Sequence, residues 1–415
     1  MKFTYLNYLL LSASSVLMGC NSGSSPGTPN GEVTLPAPSN GGQSALSEET
    51  RALGISEVPA TLSSTYTSAL NFNRYAKVDT PNGGAIHIVA QNQITDNQIV
   101  RARSILEHFL APLPSSEYGI DKANVANKMS DNGAILLLLN GVDDGTNQAS
   151  ELDGQPLYYG EMQVEGHPWY VNQNYEHRDA SYEEILHLVH DYGIGVDQSE
   201  RFIGALPSFQ AEIRAAQVEA LSSNLWGMGA SDWITELRAE NSLSQEYLAS
   251  LIDVYYGLWG ANTEFPTTGM YDLYVAKVRD DIAVEDPLGA ELMNNKFFAP
   301  YLTYNARIDE SFEGDFSLRF NASTPYSHHS QYLKDVTLTG SNNSNVIVNQ
   351  LNNDVTGNEG ENTVIFSGPS SEYQLSSENG TLTVTDLQDN RDGTNTLVSI
   401  EKLQFIDTTL DAPSS

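Results

Sequence analysis

The pattern of apolar residues changes along this chain, and the change constrains the fold more than any other feature. From Ser181 to about Val284 the spacing predicts a series of helices, whereas after about residue 310 the sequence shifts to Asn, Ser, Thr, Gly and Asp with short alternating strands. These two patterns favour different classes of structure, and 415 residues suffice for several cores. We therefore predict a globular domain over residues 46–310 and an all-β domain over residues 311–415.

The residues before the helical segment predict strands and one helix. Residues 85–90 and the apolar run 134–139 are typical of buried strands, and residues 95–110 are typical of a helix. Strands followed by helices favour an α+β domain over a doubly wound sheet. Further strands are predicted at 157–163 and 169–173, and further helices at 208–224, 231–240, 244–258 and 269–283.

The beginning of the chain indicates export. One lysine precedes a short apolar run that ends in Leu17-Met18-Gly19-Cys20, and this ending resembles the lipobox of bacterial lipoproteins. The resemblance implies a signal peptide over residues 1–19, lipidation of Cys20 and, with Asn21 next, an outer-membrane lipid anchor. Residues 20–45 are rich in Gly, Ser, Pro and Asn, which predicts a flexible tether. We expect a lipoprotein of the bacterial cell envelope.

The composition excludes two kinds of site. Twenty basic residues against 53 acidic residues give a formal net charge of −33, and nucleic-acid binding requires clustered basic residues. Cys20 is the only cysteine, so an intramolecular disulfide and a zinc–thiolate site are both impossible. We therefore expect no nucleic-acid partner, and any metal site must use histidine and carboxylate ligands.

One short helix concentrates residues that can hold a metal. Ser181 and Glu184 form an S-x-x-E capping box at its predicted start, and Gly193 marks its predicted end. Positions four apart share a helix face, so Glu183 points the same way as His187, and His187 the same way as Asp191. Two ligands at this spacing beside a further carboxylate are what a catalytic zinc site needs.

The sequence Glu183-Glu184-Ile185-Leu186-His187 resembles the zincin motif H-E-x-x-H, with Glu in place of the first His. The resemblance implies a zinc-dependent peptidase in which Glu183 and His187 are ligands and Glu184 is the base that activates water for attack on a peptide or protein substrate. A different register on the same helix would use His187 and Asp191 as ligands, with Glu184 still as base. The spacing does not separate the two registers.

A third ligand should come from a helix further along the chain. Glu246 would complete a site of the gluzincin kind, and Asp253 lies in a D-x-x-Y-G sequence that resembles the third-ligand motif of another zincin group. Glu212 and Glu219 are further options. The acids also have a simpler interpretation, since Glu183 and Glu184 suit the first turn of any helix. Because Glu replaces the first His of the motif, the alternative function is a catalytically inactive zincin-like scaffold with a cell-surface binding or structural role, which could bind calcium through its C-terminal segment.

The C-terminal segment carries a second resemblance. Residues 338–347 and 355–366 are similar to turns of the RTX-type calcium-binding β-roll, whose repeat is G-G-x-G-x-D-x-U-x, and residues 371–407 resemble the all-β module that often follows such rolls. Asn345 and Asn362 stand where that family has Asp, and most of the glycines are missing. Asp354 and Asp392 remain as the candidate calcium ligands, so the resemblance implies a weak calcium site at most.

Overall fold

The computed structural model describes residues 46–197, 199, 203–294 and 296–413. The predicted signal peptide, the lipidation site at Cys20 and the tether therefore lie outside the described residues. Within the described residues, no helix combines the length and the apolar character that a membrane span requires. The architecture is mixed α/β in the N-terminal part and strand-rich in the C-terminal part, as the coarse pattern of the sequence predicts.

The N-terminal part is built on a four-stranded sheet. The strands lie in the order β1-β2-β3-β4, in which β1 and β2 are antiparallel and the other pairs are parallel. The predicted strands at 85–90 and 134–139 and the helix at 95–110 are confirmed. Thr95 and Gln98 form a capping box that starts this helix. The elements are β1 Phe72–Asp79, β2 Ala85–Gln91, β3 Ile135–Leu139, β4 Gln155–Tyr158, α1 Glu48–Ala52, α2 Asp96–Leu110 and α3 Ala123–Asp131.

The remaining helices carry the candidate site, and α5 among them contacts β3 and β4 of this sheet. They are α4 Pro168–Asn172, α5 Ser181–Val189, α6 Pro207–Ser222, α7 Ser231–Glu240, α8 Leu243–Tyr255, α9 Arg279–Glu285 and α10 Pro287–Met293. Helix α5 packs against both α2 and α8, and all nine of its residues, polar and apolar alike, are buried. The motif helix is therefore an interior helix between two neighbours.

Three elements differ from the sequence-based expectation. The strand predicted at 157–163 is wrong beyond Tyr158, where β4 ends and residues 159–161 form a 3₁₀ turn. The strand predicted at 169–173 is wrong, because Pro168 begins helix α4 and the His167 ring accepts a hydrogen bond from the Trp169 amide (3.2 Å). The helix predicted at 269–283 starts only at Arg279, since residues 270–272 have positive φ angles of 45°, 54° and 70°, which a continuous right-handed helix does not allow.

The ends of α5 also differ in detail from the prediction. The Ser181 amide donates to Asp179 (3.1 Å), so Asp179 and not Ser181 satisfies the start of the helix. The Glu184 side chain forms no capping box and instead accepts a hydrogen bond from Gln155 (2.7 Å). At the other end the α-helix stops at Val189 and continues as a π-helical turn from His190 to Ile194, a rare conformation that is frequent at functional sites.

The C-terminal part is a parallel coil of two facing sheets. The chain alternates between a sheet with strand order β15-β14-β10-β8-β6 and a sheet with order β11-β12-β13-β9-β7-β5. Neighbouring strands within each sheet are parallel except in the antiparallel pairs β11–β12, β12–β13 and β14–β15. The elements are β5 Leu302–Ile308, β6 Gly314–Ser317, α11 Ser327–Ser330, β7 Leu333–Leu338, β8 Ser344–Ile347, β9 Asp354–Thr356, β10 Thr363–Ile365, β11 Tyr373–Glu378, β12 Thr381–Asp386, β13 Thr394–Val398, β14 Lys402–Gln404 and β15 Thr409–Asp411.

Asparagine side chains join the turns of this coil. The buried Asn362 amide donates to the Ser344 carbonyl of the preceding turn (2.9 Å), and the Asn345 amide donates to Asp315 (2.7 Å) while its oxygen accepts from the Thr363 backbone (3.0 Å). A carboxylate at either position has no hydrogen to donate. The Asn residues at these two positions therefore connect neighbouring turns through hydrogen bonds within the protein.

The two parts share one hydrophobic core. Strand β5 precedes residue 310, the predicted domain boundary, yet it pairs with β7 in the coil. Buried apolar residues form a contiguous cluster that extends from Ile55 in the N-terminal part to Phe405 in the coil. The first turn of the coil is thus packed directly on the α/β part of the chain.

Lys122, just before α3, is a buried lysine whose titration should make the free energy of unfolding depend on pH. Its ammonium group donates to the Phe109 carbonyl (2.8 Å), and burial lowers the pKa of Lys122 to about 7. An unfolded lysine has a pKa of about 10.4, so between these values the unfolded chain binds more protons than the folded chain. The free energy of unfolding should therefore rise from about pH 7 to about pH 10.

We expect Lys122→Met to reduce this rise, with exposed Lys77→Met as the matched control. Urea unfolding at about pH 7 and about pH 9 measures the change for each protein. An identical pH dependence in Lys122→Met and Lys77→Met would contradict the expectation.

Candidate metal centre

Two helices bring three potential metal ligands together. Helix α5 supplies Glu183 and His187, and α8 supplies Glu246. One ligand atom from each residue lies within 4.8 Å of the other two, and no other His, Cys, Asp or Glu group of this size occurs in the described part of the chain. The residues are 3%, 4% and 3% exposed, respectively. Of the two registers that the spacing left open, this is the arrangement with Glu183 and His187 on one face.

The donor atoms fit a metal ion. His187 Nε2 lies 3.7 Å from Glu246 Oε1, and this nitrogen is buried without a hydrogen-bond partner. Neighbouring ligand atoms of a tetrahedral zinc ion are about 3.4 Å apart, given bonds of about 2.1 Å. The His187–Glu246 pair is close to that separation, and the Glu183 oxygen lies within 4.8 Å of both atoms. Imidazole and carboxylate are both accepted zinc ligands.

The electrostatics of the cluster favour a cation. Burial alone would lower the pKa of His187, but the neighbouring Glu246, Glu184 and Glu183 outweigh it and raise that pKa to about 10. Burial, together with Glu183 and Glu184, raises the pKa of Glu246 to about 8 against the opposing effects of His187 and Arg178. Excess negative charge in a buried space therefore contributes to both shifts, since it favours retention of protons.

Glu184 lies on the opposite edge of the imidazole from the unpartnered nitrogen. Its Oε2 atom is 3.5 Å from His187 Nδ1 and accepts a hydrogen bond from Gln155 of strand β4 (2.7 Å). Carboxylates in this position orient a ligating histidine and fix which nitrogen carries the proton. The sequence does not predict this role of Gln155, because an amide in a strand carries no local signal that it contacts a helix 29 residues later.

Arg178 joins the cluster from the segment before α5. Its Nη1 atom donates to Glu183 (2.7 Å) and lies 3.8 Å from Asp253. Asp253 is fully buried and also accepts from the Trp259 indole (3.3 Å). Asp253 therefore lies beside the Arg178–Glu183 pair and outside the three-ligand group. Arg178 was also missed from sequence, although it stands only five residues before Glu183.

The other sequence candidates lie elsewhere. Asp191 follows α5 in the π-helical turn and accepts a hydrogen bond from Gln245, and it is not part of the three-ligand group. Glu212 accepts from the Tyr118 hydroxyl (2.6 Å) and pairs with Lys296 (3.0 Å). Glu219 accepts from the Ser223 hydroxyl (2.7 Å) on an exposed face of α6. Of the third-ligand options, the folded chain thus brings Glu246 to His187.

The two calcium candidates have different surroundings. Asp354 is exposed at the start of β9, and its amide donates to Asp335 (2.8 Å). Asp392 is fully buried, and each of its carboxylate oxygens already accepts two hydrogen bonds. The donors are Arg319, the Ser367 amide and hydroxyl, and the Tyr373 hydroxyl. Because these donors fill the acceptor positions of the carboxylate, the contacts of Asp392 are those of a structural residue.

A small cleft lies beside the cluster. Its walls include Arg178 but none of the three ligands; they are Gln163, Tyr170, Gln173, Tyr175, Arg178, Asp179, Leu258, Trp259 and His329. Arg178 therefore separates the cleft from Glu183. Comparison of the chain with protein-family models and with curated proteins found no match in either case.

Proposed function

We propose that this chain is an exported, lipid-anchored protein of the bacterial cell envelope whose zincin-like domain binds one divalent transition metal, zinc by preference, through Glu183, His187 and Glu246. The observation that carries the proposal is the buried Nε2 atom of His187, which lacks a hydrogen-bond partner and faces Glu246. A buried polar atom left without a partner costs about 1–3 kcal/mol. Coordination of a cation would remove that cost and would neutralise the surrounding carboxylates.

The reaction that such a centre supports best is hydrolysis of a peptide bond. When bound, zinc lowers the pKa of a coordinated water and polarises a carbonyl group. The residues of the chain prepare the site for this chemistry. Arg178 holds the Glu183 carboxylate in place (2.7 Å), and Gln155 holds Glu184 against His187. Substrate would have to approach past Arg178, which lines the neighbouring cleft.

Glu184 has two candidate roles in this proposal. It is the base if its side chain turns toward the metal-bound water, as the zincin resemblance implies. It is a positioning residue if it stays on the Nδ1 side of His187, 3.5 Å from that nitrogen. A positioning carboxylate of this kind contributes about 10- to 100-fold in metal affinity, whereas a base contributes to the rate alone.

We expect Glu184→Gln to abolish peptide hydrolysis and to keep one metal per chain under saturating zinc, because the variant retains all three ligands. Hydrolysis of a peptide library and the zinc dissociation constant should be measured on the same sample. A constant raised by about 10-fold or more would assign Glu184 to positioning, and an unchanged constant would assign it to base catalysis. Retained hydrolysis at saturating zinc would exclude Glu184 as the base, and retained hydrolysis with an unchanged constant would exclude it from both roles.

A second candidate function is a zinc-stabilised binding or structural protein. It is favoured by the burial of all three ligands, which are 3–4% exposed, and by their absence from the walls of the cleft. Metal content measured by mass spectrometry on the full chain tests both candidates. About one zinc per chain with hydrolysis supports the peptidase, the same content without hydrolysis supports the scaffold, and no zinc even after it is offered contradicts both.

A further inference from the structure

The C-terminal coil contacts both helices that carry the proposed ligands. Helix α11, which lies between the first two turns of the coil, places His329 in the interior, where it is 1% exposed. The His329 Nδ1 atom lies 2.5 Å from the Tyr256 carbonyl, at the C-terminal end of α8. Its Nε2 atom lies 3.3 Å from the Tyr182 hydroxyl, in the first turn of α5. One imidazole therefore bridges the two helices.

The partners fix the orientation of this imidazole. A carbonyl oxygen only accepts, so Nδ1 must carry the hydrogen that it donates to Tyr256, and Nε2 is then the acceptor that faces Tyr182. Burial lowers the pKa of His329 and keeps the ring neutral, in agreement with this assignment. Replacing either nitrogen by carbon would leave one helix without its contact to the coil.

A second series of hydrogen bonds and ion pairs holds the start of α5. The Tyr182 hydroxyl lies 2.5 Å from the Tyr304 hydroxyl of β5, and Tyr304 in turn donates to Glu165 (3.0 Å). Arg101 of α2 pairs with Glu165 (3.1 Å) and with Asp179, the residue that caps α5. All of these groups are buried. Tyr182 has one hydroxyl hydrogen, so it donates either to Tyr304 or to His329 Nε2 at any one time. The contacts connect the start of α5 to β5 and to α2.

The end of α8 has two further contacts with the same region of the coil. The Arg279 guanidinium lies between the Tyr255 and Tyr332 rings, at 3.8 Å and 3.6 Å from their centroids. At Gly257 an added Cβ atom would lie 2.0 Å from the His328 carbonyl oxygen. The chain after α8 thus approaches the 328–332 segment so closely that only glycine fits.

We propose that the first turn of the coil positions the metal centre, and that His329 is a positioning residue that sets the spacing of α5 and α8. This inference rests on the proposed metal function. Glu183 and His187 belong to α5 and Glu246 to α8, so the separation of the ligand atoms depends on how the two helices are held. Functional constellations tolerate errors of only about 0.5 Å. The strand-rich part of the chain would then be a component of the metal centre.

The test compares His329→Phe with its neighbour His328→Ala in the full chain. The His328 ring packs on Phe320, so its loss leaves the bridge intact. We expect His329→Phe to weaken zinc binding by about 10-fold or more, the range of other outer-shell substitutions, and to increase hydrogen exchange in residues 181–189 and 243–256. His329→Asn, which retains a donor for the Tyr256 carbonyl, should recover part of the zinc affinity.

The two readouts separate the two proposals. A wild-type chain that binds no zinc contradicts the proposed function, and the exchange comparison still tests the bridge because it needs no metal. Exchange in both helices that is the same in His329→Phe and His328→Ala would overturn the positioning role. Equal zinc affinity in these two variants, with the wild type binding zinc, would overturn it as well.

Discussion

Replacing His187 by alanine is expected to reduce the metal content from about one zinc per chain to none. His187 is the one nitrogen donor of the three-residue group, and the two remaining carboxylates would make a weak site for zinc. The variant also removes the positive charge that a protonated His187 places among Glu246, Glu184 and Glu183 in the metal-free protein. We therefore expect a lower free energy of unfolding in addition to the loss of zinc.

The matched control for this variant is His190→Ala. His190 follows α5, is fully buried, and lies 2.5 Å from the Gln210 side chain, outside the ligand group. Its replacement also creates a cavity in the interior but should leave the zinc content near one per chain. Mass spectrometry of the two proteins after exposure to zinc gives the comparison. Zinc retained by His187→Ala, or lost equally by both variants, would contradict the assignment of His187 as a ligand.

The second large effect is expected in the coil, where Asp392→Asn should lower the free energy of unfolding by about 3 kcal/mol. An asparagine keeps the shape of the side chain but turns a hydrogen-bond donor toward groups that are themselves donors. Those groups are Arg319, Ser367 and Tyr373, and Asp392 is fully buried among them. Urea unfolding measures the loss.

Asp354→Asn is the control, because Asp354 is exposed and surface substitutions usually change stability by about 0.5 kcal/mol or less. The same titrations repeated with calcium test the remaining calcium hypothesis. We expect calcium to leave the unfolding midpoint of both variants and of the wild type unchanged. A calcium-dependent increase in the wild type that disappears in Asp392→Asn would assign calcium binding to this residue.

Local patterns in the sequence predicted the parts of the fold that are set locally. Thr95 and Gln98 start α2 with the capping box that their spacing permits, and the four-residue spacing of Glu183 and His187 places both on one face of α5. The sequence also pointed to Glu246 and Asp253 on one helix, but their roles depend on how α8 packs against α5. That packing involves the whole core, which no local pattern describes.

Two of the residues that local patterns do not predict act over long sequence separations. Gln155 of strand β4 contacts Glu184 29 residues later, and His329 contacts Tyr182 across 147 residues. The strand propensity of Trp169 and its neighbours favours a strand at 169–173. The residues that determine helix α4 are Pro168 at its first position and His167, which caps it. A proline and a terminal hydrogen bond therefore outweigh strand propensity at α4, and tertiary contacts set the roles of Gln155 and His329.

The position of β5 determines the order in which the coil can assemble. Strand β5 packs on α2, where Arg307 donates to Asn97 (2.9 Å), while the far end of the coil finishes in the β11–β12 hairpin and the antiparallel strand β15. Among the described residues the first turn thus lies against the α/β part, and we expect each later turn to form on the turn before it. We therefore expect the turns of the coil to form in order, beginning at the α/β part. A truncation from the C-terminus would then remove the turns that form last.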